Sequence, residues 1–326
     1  MRGGYKNPPF VFSLGVYMGK NKKKKNVNSS AVNSIQRKAM RKFAWLFLLP
    51  TFAAFCIGFI YPFLWGMKLS FFKFKTLRFQ TFVGFDNYIE AFKDQSFFES
   101  FKFTTGYTIV SVLLINLIAF AFALVLTRGI KGSTIFRTIF FVPNLIGGIV
   151  LGYIWKIILN GIIHVLWDTL LSLNGTAGFW GLIILMCWQQ VGYMMIIYIA
   201  GLQNVPQDYV EAAKIDGATS GQILRKITIP SIMPTITICL FLTLTNSFKL
   251  FDQNLALTGG APYASLEGTT QLYGKTEMLA LNIYNSFYQN KTSLGIGQAK
   301  AVIFFVLVVI ISLVQLGITK KREVQA

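Results

Sequence analysis

Acidic residues are scarce in this 326-residue chain: 12 Asp and Glu stand against 31 Lys and Arg, and charged residues together reach only 13%. With 54% hydrophobic residues and a mean hydropathy of +0.55, most of the chain has no means of facing water. It reads as an integral membrane protein. Histidine occurs once, at His164, which leaves a histidine-rich metal site nothing to be built from, and no Ser/His/Asp constellation appears in the sequence. Its neighbour four residues on, Asp168, makes an interfacial polar pair the reading of that site. The three cysteines, Cys56, Cys187 and Cys239, are far apart, lie inside apolar stretches and form no CxxC pattern. They read as small buried hydrophobes rather than a disulfide or metal framework. A net charge of +19 would suit a nucleic-acid binder, but the basic residues sit in an N-terminal tail, short loops and the C-terminus. A membrane's positive-inside bias accounts for that distribution.

Six apolar stretches are long enough to cross roughly 30 Å of hydrocarbon as helices: about Phe43 to Met67, Phe103 to Leu126, Ile135 to Leu159, Phe179 to Leu202, Ile227 to Phe251 and Ala301 to Thr319. The expected architecture is all-α with six spans. Breaks such as Phe141-Val142-Pro143 and Pro230 to Pro234 suggest a packed bundle around a pathway, where neighbours satisfy the freed carbonyls. Lys22 to Lys25, Arg37, Lys38, Arg41 and Lys42 precede the first span; Arg128, Lys131 and Arg137 follow the second; Lys320, Lys321 and Arg322 follow the last. Both termini are therefore expected in the cytoplasm, in a multi-pass plasma-membrane protein. The chain divides into a basic cytoplasmic tail, 1–42, and a six-helix domain, 43–326. The tail is expected to be mostly disordered, with the Lys run as a possible inner-leaflet contact.

The polar stretch YVEAAKIDGATSGQILRKITIP, Tyr209 to Pro230, interrupts the apolar pattern in a loop at about 205–228. Pro206 can start a helix, and Asp208 and Glu211 suit its early turns. Gly217 permits a left-handed turn, and Ile215 and Ile223 are expected to anchor the loop. Small residues at Ala212, Ala213, Gly217 and Ala218 would let another protein approach closely. Glu211-Ala212-Ala213, three residues, Gly217, nine residues, then Ile227-Thr228-Ile229-Pro230 resembles the EAA loop of permease subunits in bacterial ATP-binding-cassette importers. Ile229 departs from that pattern, which usually has Leu. The resemblance runs from Phe43 onward. Leu46 to Pro50, Phe82 to Tyr88, Arg137 to Pro143 and Leu257 to Pro262 are similar to the maltose-type and glycerol-phosphate-type branch, without the maltose permease's large extracytoplasmic insertion.

The resemblance implies a type I importer permease for a carbohydrate, working with a second homologous permease subunit, a cytoplasmic ATPase dimer and an extracytoplasmic binding protein. Glu211, Ala212, Ala213, Gly217, Ile227 and Pro230 would then form the ATPase-coupling loop. ATP and Mg would be used by the partner ATPase, with no cofactor on this chain and no enzymatic role for it. The segment Gly268 to Thr276, GTTQLYGKT, nearly mimics a phosphate-binding loop, but its spacing is one residue too long and it falls in an outward loop. Within the spans, Gln189, Gln190 and Tyr193 on the fourth and Asn246 and Lys249 on the fifth are candidates to line a sugar pathway. Amides and hydroxyls match sugar hydroxyls, and aromatic rings match a pyranose's apolar face. Helix-to-helix hydrogen bonding remains open for these polar residues, and snorkelling for Lys249. A glycerol-phosphate-type ester is the alternative substrate. An ion-coupled secondary carrier is a further alternative, disfavoured by the near absence of Asp and Glu from the spans.

Overall fold

The computed structural model describes residues 44–76, 79–265, 272–288 and 294–321; the basic tail and Arg322 lie outside them. Residues up to Pro62 form one compact unit and those from Phe63 a second. Helix α1, Ala44–Leu69, begins in the first and ends in the second. In the first unit its apolar side chains are largely exposed, as a lipid-facing span requires, and Phe55 stacks on Phe59 through a π-turn at Cys56–Ile60.

The second unit opens with an antiparallel pair, β1 (Phe72–Thr76) and β2 (Phe79–Phe82), followed by α2 (Asp86–Lys93). Its centre is α3 (Gln95–Leu126) packed on α6 (Gly175–Gln203). Along α3, Tyr107, Ser111, Ile115, Ala119 and Ala123 recur every fourth residue and are all buried. Successive members at that spacing sit side by side along a row that winds slowly round the helix, and the small ones let a neighbouring backbone approach where lipid offers no hydrophobic gain from packing. Both long helices start on side-chain caps: Asp94 accepts from the Ser96 amide, and Asn174 from the Thr176 and Ala177 amides.

The expected third span is not one helix. Helix α4 (Ser133–Phe141) gives way to a 3₁₀ turn at Val142–Leu145, and the spanning helix is α5 (Gly148–Trp167). Pro143 removes one amide donor, and Gly147 adopts an extended backbone that ends helical propagation. Helix α4 instead lies against α6, where Gly192 meets the Phe140 carbonyl so closely that no Cβ fits.

The fifth stretch is likewise broken. After α7 (Gln207–Ile215), α8 (Ser220–Ser231) and α9 (Met233–Phe248) meet at a 70° bend. Helix α10 (Asp252–Leu257) returns against α5, and its Ala256 faces Gly152. A short pair, β3 (Tyr263–Ser265) and β4 (Leu272–Gly274), leads to α11 (Leu279–Tyr288) and the last span, α12 (Leu294–Lys320). Among the described residues five helices are long and apolar enough to cross a membrane, six if the bent pair counts as one. The fold is all-α apart from the two small strand pairs.

A buried polar cluster ties α11 and α12 to the start of α3. Lys300 Nζ donates to Asp94 Oδ2 at 2.6 Å, Ser286 Oγ at 2.8 Å and Asn282 Oδ1 at 3.1 Å. Glu277 accepts from Asn282, Asn285 and Ser100. The chain thus satisfies an ammonium and two carboxylates where water is scarce.

Candidate functional site

Helix α7 has its acid, Asp208, in the first turn and Lys214 in the last, complementing the helix dipole. Its C-terminus closes in a complete Schellman motif: the Gly217 amide donates to the Lys214 carbonyl at 3.1 Å and the Ala218 amide to the Ala213 carbonyl at 2.9 Å. Gly217 occupies the left-handed position this motif requires, with φ of +78°. Two residues later Thr219 caps α8 in a capping box with Gln222. Four residues therefore reverse the chain with both helix ends satisfied, which makes the turn a stiff knob rather than a loose loop.

The two faces of α7 differ. Val210 and Lys214 turn towards the body, where Ile223 is buried. Glu211 and Ala212 are exposed, Ala213 is half-buried, and Ile215 is 86% exposed. Ile215 is thus not an anchor, contrary to the sequence-based expectation, because it lies on the face of α7 opposite Val210; only Ile223 anchors the loop.

Below the knob, α8 widens into a π-turn over Leu224–Thr228. Pro230 explains the irregularity, since it lacks an amide and its ring opposes the carbonyl four residues back. Ile227 and Pro230 are both half-buried, and the Ile227 carbonyl accepts from Ser231 Oγ at 2.7 Å. Pro234 follows the bend at Ile232, which is almost fully buried and forms its pivot.

The polar residues of the spans separate into two groups. Asn116 donates to Thr243 Oγ1 at 2.9 Å and accepts from the Tyr198 hydroxyl at 2.8 Å, while Ser111 and Ser247 share a hydrogen bond of 2.9 Å. These bonds join α3, α6 and α9. Gln189 belongs with them: it is buried, donates to the Ile146 carbonyl at 3.3 Å and accepts from Gln253 at 2.8 Å. Its amide links α6 to the turn before α5 and to α10.

Gln190, Tyr193 and Asn246 are half-buried instead. Gln190 and Tyr193 lie one turn apart on α6, and Gln190 Oε1 is buried with no hydrogen-bond partner. Tyr193 packs on Phe141 with ring centres 6.4 Å apart. Lys249 is exposed at the C-terminal end of α9. Trp188, beside the glutamines, is 44% exposed and packs edge-on against Trp155.

His164 and Asp168 form a 3.2 Å pair at the end of α5, with side chains 65% and 93% exposed. A pair so open to its surroundings has no enclosed volume in which to hold a reacting group. No cluster of three or more His, Cys, Asp or Glu suited to a metal occurs among the described residues. The phosphate-loop mimic starts outside the described residues; of its described end, Leu272–Gly274 is a strand paired with β3 and Lys275–Thr276 a turn, so its second glycine lies in a strand and not in a phosphate-cradling loop.

Residues 115–324 match the family model described as "Binding-protein-dependent transport system inner membrane component". The chain is 40% identical over 289 residues to a probable starch degradation products transport system permease protein of Thermoanaerobacterium thermosulfurigenes, covering 86% of this chain and 95% of that one. It is 31% identical over 300 residues to a multiple sugar-binding transport system permease protein of Streptococcus mutans, with 88% and 99% covered. Its backbone matches a chain in the crystal structure of a bacterial ABC transporter that imports the acidic polysaccharide alginate, with a TM-score of 0.71, 22% identity and 88% and 98% covered.

Proposed function

The chain belongs to the binding-protein-dependent transport system inner membrane component family, and from that premise we propose that it is the permease subunit of an ATP-driven importer of carbohydrate. The similarity to permeases named for starch products and for multiple sugars supports the substrate class. The observation that carries the mechanism is the knob: a doubly capped turn, exposed at Glu211, Ala212 and Ile215, joined directly to a bent, proline-broken helix. A short, stiff, partly apolar protrusion on the cytoplasmic side suits the cleft of a separate ATPase. Glu211 supplies charge to that contact, Ala212 and Ala213 permit close approach, and Ile215 fills an apolar socket. ATP and Mg are bound by the ATPase dimer, and hydrolysis is not performed by this chain.

In the mechanism, closure of the ATPases draws the knobs of this chain and of a second, homologous permease subunit together. Because α7 and α8 are capped at the turn, the displacement is not lost in fraying; it passes along α8 to the bend at Ile232 and tilts α9. That helix carries Asn246, which with Gln190 and Tyr193 forms this subunit's share of the pathway wall. The half-buried ring of Tyr193 offers a sugar an apolar face, and the half-buried amide of Gln190 sits one turn before it on the same helix. An extracytoplasmic binding protein delivers the sugar, and both termini of this chain lie in the cytoplasm.

The test is site-directed cross-linking. Cys replaces Ala212 on a background in which Cys56, Cys187 and Cys239 are Ser, in membranes containing the co-expressed ATPase. A cross-link from Ala212→Cys to the ATPase, absent from Lys320→Cys, is expected; no cross-link at 208, 212 or 215 would remove the docking role.

A further inference from the structure

A cavity lies behind the knob, between α7 and the ends of α3 and α6, with a volume of about 410 Å³. Its floor is apolar: Leu124, Leu202, Val205, Val210 and Ile223. Its rim carries Arg128 and Lys214, with Gln203, Gln207, Ser220 and Thr228 between them. No Asp or Glu lines it among the described residues, and neither cation forms an ion pair or a side-chain hydrogen bond with another described residue. Arg137, a third cation, reaches the last turn of α3 beside this rim, where it donates to the Leu126 carbonyl at 3.3 Å. Two cations with no acid beside them among the cavity's described lining, at the mouth of an apolar floor, define a ligand of matching chemistry: a phosphate group joined to something apolar or small.

We propose that this cavity binds a phosphate ester, either the headgroup of an anionic phospholipid from the adjoining leaflet or a soluble phosphate ester, and so braces the knob against α3. Arg128 offers a planar fork that engages two phosphate oxygens, and Lys214 closes from α7 as a point charge. The amides and hydroxyls between them donate to the remaining oxygens. Because Arg128 is fixed to the end of α3 and Lys214 rides on α7, an occupant spans two elements whose separation changes if the knob moves. The bracing role rests on the coupling reading above; the binding itself does not.

Binding is therefore measured on the full-length chain alone, without ATPase or sugar. Purified chain in phosphatidylcholine nanodiscs is titrated along two arms, one with a rising fraction of phosphatidylglycerol and one with added glycerol 1-phosphate, reading the thermal midpoint. Saturable stabilisation is expected in one arm. In Arg128→Gln/Lys214→Gln its half-saturation should rise about 25-fold, from about fivefold for each cation removed near a membrane surface. Arg225→Gln/Lys226→Gln removes the same charge from the exposed face of α8 outside the cavity and should leave half-saturation unchanged. A phosphatidylglycerol response identifies the lipid as the source, and a glycerol 1-phosphate response the soluble ester. No saturable response in either arm, or equal losses in the two double variants, would overturn the site.

Discussion

Replacing Gly217 isolates backbone conformation from packing. Its φ of +78° is one that L side chains rarely adopt, yet nothing lies within 4 Å of where a Cβ would stand. Substitution there collides with nothing in the chain, and the effect reduces to the left-handed backbone, about 1–2 kcal/mol for an ordinary residue. That lowers the population of the closed Schellman turn about 5- to 30-fold. Asn tolerates the region, Ala resists it, and a β-branched residue resists it most. Coupling, measured as sugar transported per ATP hydrolysed in proteoliposomes, should fall in the order Gly, Asn, Ala, Val, while membrane content and thermal midpoint of the chain stay near wild type. A Val variant that fails beside normal Asn and Ala variants would point to a clash with the partner, not to backbone strain. Normal coupling in all three would refute the claim that the turn's rigidity transmits movement.

Gly192→Val should prevent a monodisperse chain in size-exclusion chromatography, because the new Cβ falls on the Phe140 backbone carbonyl and that atom cannot rotate away; the strain lies at or above the ~3 kcal/mol reached by overpacking. Gly161→Ala, with open space around it, is the neutral control. Lys300→Met removes the buried ammonium that bonds Asp94, Asn282 and Ser286 and should destabilise by roughly 3–5 kcal/mol in thermal unfolding. Asn116→Leu removes the link between Tyr198 and Thr243 and should lower stability by about 1–2 kcal/mol in detergent. Gln190→Leu should reduce sugar uptake while leaving Ala212→Cys cross-linking unchanged, separating pathway from docking.

The knob was legible in the sequence because its geometry is local. Pro206 before the helix, its early acids and Gly217 at its end state the turn chemistry within a few residues, whereas the Thr219, Gln222 capping box was found only in the structure. The break at Pro143 was visible in the third stretch, but not that it divides Ile135 to Leu159 into two helices: that depends on the extended backbone at Gly147, which hydropathy does not register. The polar residues of α9 were ambiguous for a different reason. Thr243 and Ser247 bond to α3 while Asn246 does not, and which face meets α3 depends on a helix more than a hundred residues earlier. The last span was expected to start at Ala301, just past Lys300. The helix begins at Leu294, because Asp94, 206 residues away, accepts the ammonium and lets it be buried.

The central claim is that movement of this chain is driven by ATP hydrolysed on a partner. Hydrolysis and uptake measured together in proteoliposomes, containing both permease subunits, the ATPase and a maltooligosaccharide-loaded binding protein, test it most directly. The account predicts uptake that requires ATP, hydrolysis stimulated by the loaded binding protein, and loss of that stimulation in Gly217→Val. Uptake that proceeds without ATP and follows an imposed ion gradient would contradict it.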